Sequence, residues 1–126
     1  MGCTFTKAER LNSKKTIEKM FAGGARSFSI FPLRVVYMPV EKHEADVSIL
    51  LSVSKKRFKR AVGRNRVKRQ LREAYRKNKT LLTDTITARA YSLAVAFIYL
   101  DDSLPESVRM EEVMRKLLRR IAENQV

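Results

Sequence analysis

Between Lys55 and Lys79 stand thirteen lysines and arginines and one acid, Glu73, a net +12 that accounts for nearly all of the +14 on the 126-residue chain. Cations packed this closely repel one another unless the folded protein meets a dense polyanion, and nucleic acid is the first candidate. Ordinary solvated helix faces mix signs at i, i+4 instead. Arg64, Arg66, Arg69, Arg72 and Arg76 carry planar guanidinium forks that can grip phosphates bidentately. Lys55, Lys56, Arg60 and Lys68 add point charge. The amide of Asn65 both donates and accepts, so it can bond a phosphate or a base edge. Phe21 and Tyr37 can stack on unpaired bases if they face solvent, or pack in a core if they do not.

Other chemistries find little support. His43 is the only histidine and Cys3 the only cysteine, which excludes a paired-His metal site, a Cys-based zinc site, an internal disulfide and any obvious triad. Glu41, Glu44 and Asp46 surround His43 and read as a charged turn, although they could hold a hydrated divalent ion loosely. Asp101 and Asp102 suit the N-terminus of a following helix. The scattered glycines make no phosphate loop. Met1-Gly2-Cys3-Thr4-Phe5-Thr6 matches the myristoylation pattern in form and reads as a chance match. No apolar run approaches the ~20 residues that span a bilayer, and the N-terminus has no basic region leading into an apolar one. The expectation is a cytoplasmic protein with no membrane partner, no catalytic side chains and no metal site of its own.

The elements that must position these residues follow from periodicity. Thr6 to Glu9 has capping-box spacing. A first helix, capped by Asn12 or Ser13, places Ile17, Met20 and Phe21 on one face and ends at Gly23-Gly24. Ser27 to Val40 reads as strand, broken or edged at Pro32. Glu41 to Ala45 reads as a polar hairpin connection. Asp46 to Ser54 is a second strand, with Val47, Ile49, Leu51 and Val53 on one face and Ser48, Leu50, Ser52 and Ser54 on the other. In the basic helix, Val67, Leu71, Ala74, Tyr75 and Asn78 form a narrow stripe, with Lys68, Arg69, Arg72, Arg76 and Lys79 roughly opposite. Thr80 to Arg89 reads as a loop. Tyr91 to Leu100 is the most apolar strand and should be central. Ser103 to Glu106 is a second capping box with Pro105 in the first turn. It opens an amphipathic helix, Val108 to Asn124, with Met110, Val113, Met114, Leu117, Leu118 and Ile121 inward. A single α+β domain over residues 1–126, a mixed sheet with helices packed on it, accounts for this order.

Ser52-Val53-Ser54-Lys55-Lys56, a short spacer and Arg64-Asn65-Arg66-Val67-Lys68-Arg69, with Arg72 one turn on, resemble the signature of the bacterial ribonuclease P protein subunit. The resemblance extends more weakly to Glu9-Arg10-Leu11, the first helix, and the last strand and helix. It implies an α/β sandwich of order αβββαβα with a left-handed βαβ crossover through the basic helix. It also implies a protein without an obligate protein partner that assembles with ribonuclease P RNA and helps it remove the 5′ leader of precursor tRNA, with magnesium bound mainly through RNA. Carried over by position, Arg64, Asn65, Arg66, Lys68, Arg69 and Arg72 would lie on the catalytic RNA or beside the substrate junction. Ile17, Phe21, Val36 and Lys56 would line the leader cleft. Ile17 stands where an aromatic is common in that family, and Tyr99-Leu100-Asp101-Asp102 lacks the basic residue often found there. The Glu41 to Asp46 segment coincides with a loop proposed to bind metal in relatives. The rival reading is a non-enzymatic ribosomal or rRNA-binding structural protein. A DNA-binding helix-turn-helix fits less well, since a strand occupies the place of its first helix.

Overall fold

A computed structural model of the chain describes residues 7–125. Four strands, β1 (Arg26–Ile30), β2 (Leu33–Glu41), β3 (Val47–Val53) and β4 (Tyr91–Tyr99), form one sheet in the order β1-β2-β4-β3. β1 and β4 both run antiparallel to β2, while β3 and β4 are parallel. Parallel neighbours need a long crossover, here supplied by helices α2 (Ala61–Asn78) and α3 (Thr80–Thr87). Helix α1 (Lys14–Lys19), extended by a π-helical turn over Met20–Gly24, covers one face, and α2, α3 and α4 (Ser107–Glu123) cover the other. The architecture is the expected α+β sandwich with one helix more than αβββαβα.

Strand alternation divides the two cores. Leu33, Val35 and Tyr37 of β2 join Val47, Ile49, Val95 and Phe97 beneath α2, α3 and α4. Val36 and Met38 join Ala94 and Ala96 beneath Leu11 and Met20. All six apolar residues expected to face inward on α4 are buried. Ser13 caps α1 by accepting the Thr16 N–H at 3.3 Å, and the chain leaves the helix through Gly23, whose φ of +103° suits a residue without Cβ. The N-terminal segment shields an edge: Leu11 N–H donates to Ile49 O at 2.8 Å, alongside β3. Thr6 and Cys3, with the rest of Met1 to Thr6, lie outside the described residues.

Four expectations need correction. Glu41 to Ala45 does not close a hairpin, because β4 lies between β2 and β3. Leu93, Ala94, Val95, Ala96 and Phe97 are all fully buried, and a strand apolar on both faces belongs where neighbours cover both its edges. Thr80–Thr87 is helix rather than loop: Leu82 and Ile86, at i and i+4, are buried in the larger core. The second capping box does not form. Helix α4 starts after Glu106, without a side-chain cap, because Ser103 is held in the preceding turn by Tyr99 Oη, which donates to its carbonyl at 2.6 Å. Pro105 thus precedes the first turn. Finally, Lys79 does not sit on the cationic face. It is only 8% exposed and donates to both carboxylate oxygens of Glu9 at 3.1 and 3.0 Å.

Candidate nucleic-acid interface

The basic segment begins as a built turn. At the end of β3, Ser54 Oγ accepts the Lys56 N–H at 3.0 Å, and Ser54 O accepts the N–H groups of Arg57 and Phe58 at 3.1 Å each. Lys55 and Lys56 stay exposed on this turn. Phe58 packs against Tyr99 with ring centroids 6.2 Å apart. Tyr99, buried and near Asp101, has its hydroxyl pKa pushed up to about 12, burial being the larger cause. Gly63 lets the helix start close to Phe58, since a Cβ there would stand 3.0 Å from Phe58 Cδ1. Arg57 Nη1 donates to Asp102 Oδ1 at 3.1 Å. The two acids therefore do not serve the helix end: Asp102 fastens this turn to the β4–α4 connection, and Asp101 Oδ1 accepts the Asp102 N–H at 2.7 Å.

Arg64 is part of the same construction. Its Nη1 donates to Phe58 O at 2.8 Å and Lys59 O at 3.1 Å, which leaves only the rest of the guanidinium for a ligand. Arg60, Asn65, Arg66 and Arg69 are exposed, and Lys68 and Arg72 half-exposed. Asn65, Arg69, Arg72 and Arg76 recur at i, i+4, i+7 and i+11, one stripe opposite the buried Val67, Leu71, Ala74 and Tyr75. Within it Arg76 is already engaged, donating from Nε and Nη2 to Glu73 at 3.0 and 2.5 Å. That hydrogen-bonded guanidinium holds the Glu73 carboxyl below its usual range. Arg60, the N-cap of α2, makes no side-chain cap. The positive end of the helix macrodipole therefore adds to the cations there.

Of the residues expected to line a leader cleft, Ile17 and Val36 lie on the opposite face of the sheet. Ile17 packs against the smaller core, and Val36, only 3% exposed, is buried within it. Phe21 is 50% exposed at the end of the same helix, and Lys56 stands beyond the end of β3. Tyr37 is not available for stacking: it is buried in the larger core, edge-on to Phe28, and its hydroxyl accepts from Asn124 Nδ2 at 3.0 Å.

In the acidic segment, Asp46 is occupied by Lys42 Nζ at 2.9 Å and Thr87 Oγ at 2.7 Å. Partial burial raises its pKa, but these hydrogen bonds and the Lys42 charge outweigh that and hold it below the usual carboxylate range. His43 Nδ1 accepts the Ala45 N–H at 3.3 Å. Among the described residues no three His, Cys, Asp or Glu side chains converge as metal ligands. Sequence reasoning missed the Glu9–Lys79 and Arg57–Asp102 pairs, which join residues 70 and 45 positions apart. No local pattern could have marked them.

A preformed basic turn leading into a guanidinium stripe, on a small α+β sandwich, defines a protein built to hold a polyanion. A sequence model of the family Ribonuclease P matches residues 5–122. The chain is 48% identical over 120 residues to the ribonuclease P protein component of Porphyromonas gingivalis, covering 94% of this chain and 87% of that one. It is 32% identical over 130 residues to that of Chlorobaculum tepidum, covering 95% and 84%. Among solved structures, the RNase P protein of Thermotoga maritima shares the fold with a TM-score of 0.69 at 20% identity, over 89% of this chain and 96% of that one. The protein of Staphylococcus aureus does so with a TM-score of 0.67, again at 20% identity, over 93% and 97%. The chain belongs to the ribonuclease P protein family, the protein component of an endoribonuclease. None of these relatives is a ribosomal protein.

Proposed function

We propose that this chain, acting as one RNA-binding domain, assembles with a ribonuclease P RNA and holds the single-stranded 5′ leader of precursor tRNA while the RNA cleaves it. The observation that carries the reading is the cationic face of α2, with Arg66 and Arg69 exposed and Arg72 half-exposed, set directly after a rigid basic turn. Arg66, Arg69 and Arg72 would neutralise crowded phosphates of the catalytic RNA, with Asn65 beside them and Lys68 and Arg60 at the flank. The turn carrying Lys55 and Lys56 lies at the end of the sheet face that bears Ile17 and Phe21, so one strand could pass from the helix entrance onto that face. Phe21 is exposed enough to stack a base.

Magnesium ions, held chiefly by RNA phosphates, supply the Lewis acid and the activated water for phosphodiester hydrolysis. Asp46, Asp102 and Glu73 are each paired with a cation of their own chain. The protein's contribution is electrostatic and positional: it lowers the repulsion between substrate and RNA, so less magnesium is needed. No helix among the described residues is long and apolar enough to cross a membrane, and the cytoplasm, where tRNA is processed, is the compartment this reading requires.

Placing a photoreactive benzoylphenylalanine at position 21 tests the leader assignment. In the assembled complex with radiolabelled precursor tRNA, irradiation should join the protein to the leader. Adducts on the tRNA body alone would refute the assignment.

A further inference from the structure

Helix α1 does not cover the whole sheet face it packs on. Arg34, Val36 and Met38 alternate onto that face; Val36 and Met38 are buried, while Arg34 is exposed. Arg34 pairs with Ser29 on β1 and with Ile98 on β4, and Ile98 pairs with Ser52 on β3. This is the last row on that face before the strands end. Ser29 is exposed, and Ile98 and Ser52 are half-buried. The result is an open strip across all four strands, about 14 Å wide at ~4.8 Å per strand. At the β3 edge it meets the turn bearing Lys55 and Lys56. Arg34 is its only charged member and enters none of the ion pairs among the described residues.

We propose that Arg34 is a substrate-contacting residue, whose guanidinium takes a phosphate of the leader as the strand crosses this strip towards Lys55 and Lys56. The proposal rests on the leader reading above and adds to it a residue and a mode of recognition. The strip offers two short hydroxyls, one aliphatic side chain and one guanidinium. The guanidinium can take a phosphate bidentately, and the two hydroxyls suit phosphate and sugar oxygens. A phosphate grip at this row tolerates any base.

The test uses the full-length protein assembled with ribonuclease P RNA, and precursor tRNAs with leaders of one or ten nucleotides. In a further series the ten-nucleotide leader carries a single uncharged methylphosphonate at each position in turn. The wild-type complex should bind the long leader more tightly than the short one. Arg34→Ala should lose about tenfold or more on the long leader, the low end of one charge-assisted contact, and the loss should vanish as the leader is shortened. One methylphosphonate position should cost the wild type a similar factor and cost Arg34→Ala nothing further, with Arg34→Lys recovering part of the affinity. A merely structural role would not single out one phosphate. If the wild type binds both leaders equally, the leader reading itself fails. If it prefers the long leader and Arg34→Ala does so to the same extent, or if every methylphosphonate costs both proteins alike, Arg34 is not the contact and the leader reading survives.

Discussion

Arg64 and Arg69 carry the same guanidinium five residues apart on one helix, yet their environments assign them different work. Arg64 ties the helix to the carbonyls of Phe58 and Lys59, whereas Arg69 is exposed. Arg69→Ala should weaken RNA binding and leave the melting temperature unchanged. Arg64→Ala should lose about 1–2 kcal/mol of stability through its two charge-assisted bonds, with a drop in RNA affinity on top. Thermal denaturation paired with filter binding checks both; equal melting temperatures would show that the Arg64 clamp is not used in solution. Glycine at position 63 follows the same logic. In an open helix, Gly→Ala gains about 1 kcal/mol from propensity, but here the new methyl would press on Phe58. Gly63→Ala should therefore fail to stabilise the protein.

Between elements, two polar ties hold the N-terminal half against the crossover. The Glu9–Lys79 pair joins the segment beside β3 to the junction of α2 and α3, with side chains 11% and 10% exposed. Glu9→Ala would take the carboxylate away from the buried Lys79 ammonium and should destabilise the fold by up to about 3 kcal/mol, measurable by denaturant unfolding. Asp46 joins the β2–β3 connection to Thr87 at the end of α3. Its pKa is lower folded than unfolded, so the stability it contributes is present above the unfolded value of ~3.9 and disappears as pH falls through the folded value. Asp46→Asn should cost less than about 1 kcal/mol at neutral pH, and the gap to the wild type should close in acid. Neither tie was legible in the sequence, because each depends on which elements meet. Burial pattern was legible: α4 showed all its inward residues and β4 its central place. The connection before β3 was misread because the local polarity of Glu41 to Ala45 says nothing about which strand lies alongside. Helix α3 was missed because its threonines mask the i, i+4 pair Leu82 and Ile86. The stripe on α2 could be read because helical spacing alone orders it, while the strip around Arg34 needed the register of four strands.

For the molecule as a whole, charge is the functional variable. A net +14, of which +12 lies between Lys55 and Lys79, makes association with RNA release condensed counterions, so affinity should fall steeply and linearly on a log–log salt plot. Removing Arg69 and Arg72 together should lower that slope by about 2, one per phosphate contact. The same charge explains how a protein with no catalytic constellation of its own in this reading can serve a hydrolytic enzyme: it makes the approach of two polyanions less costly. That claim is tested most directly by mixing the protein with a bacterial ribonuclease P RNA and precursor tRNA at magnesium concentrations too low for the RNA to act alone. The account predicts release of the intact 5′ leader at a rate well above that of the RNA by itself. Equal rates with and without the protein would contradict it.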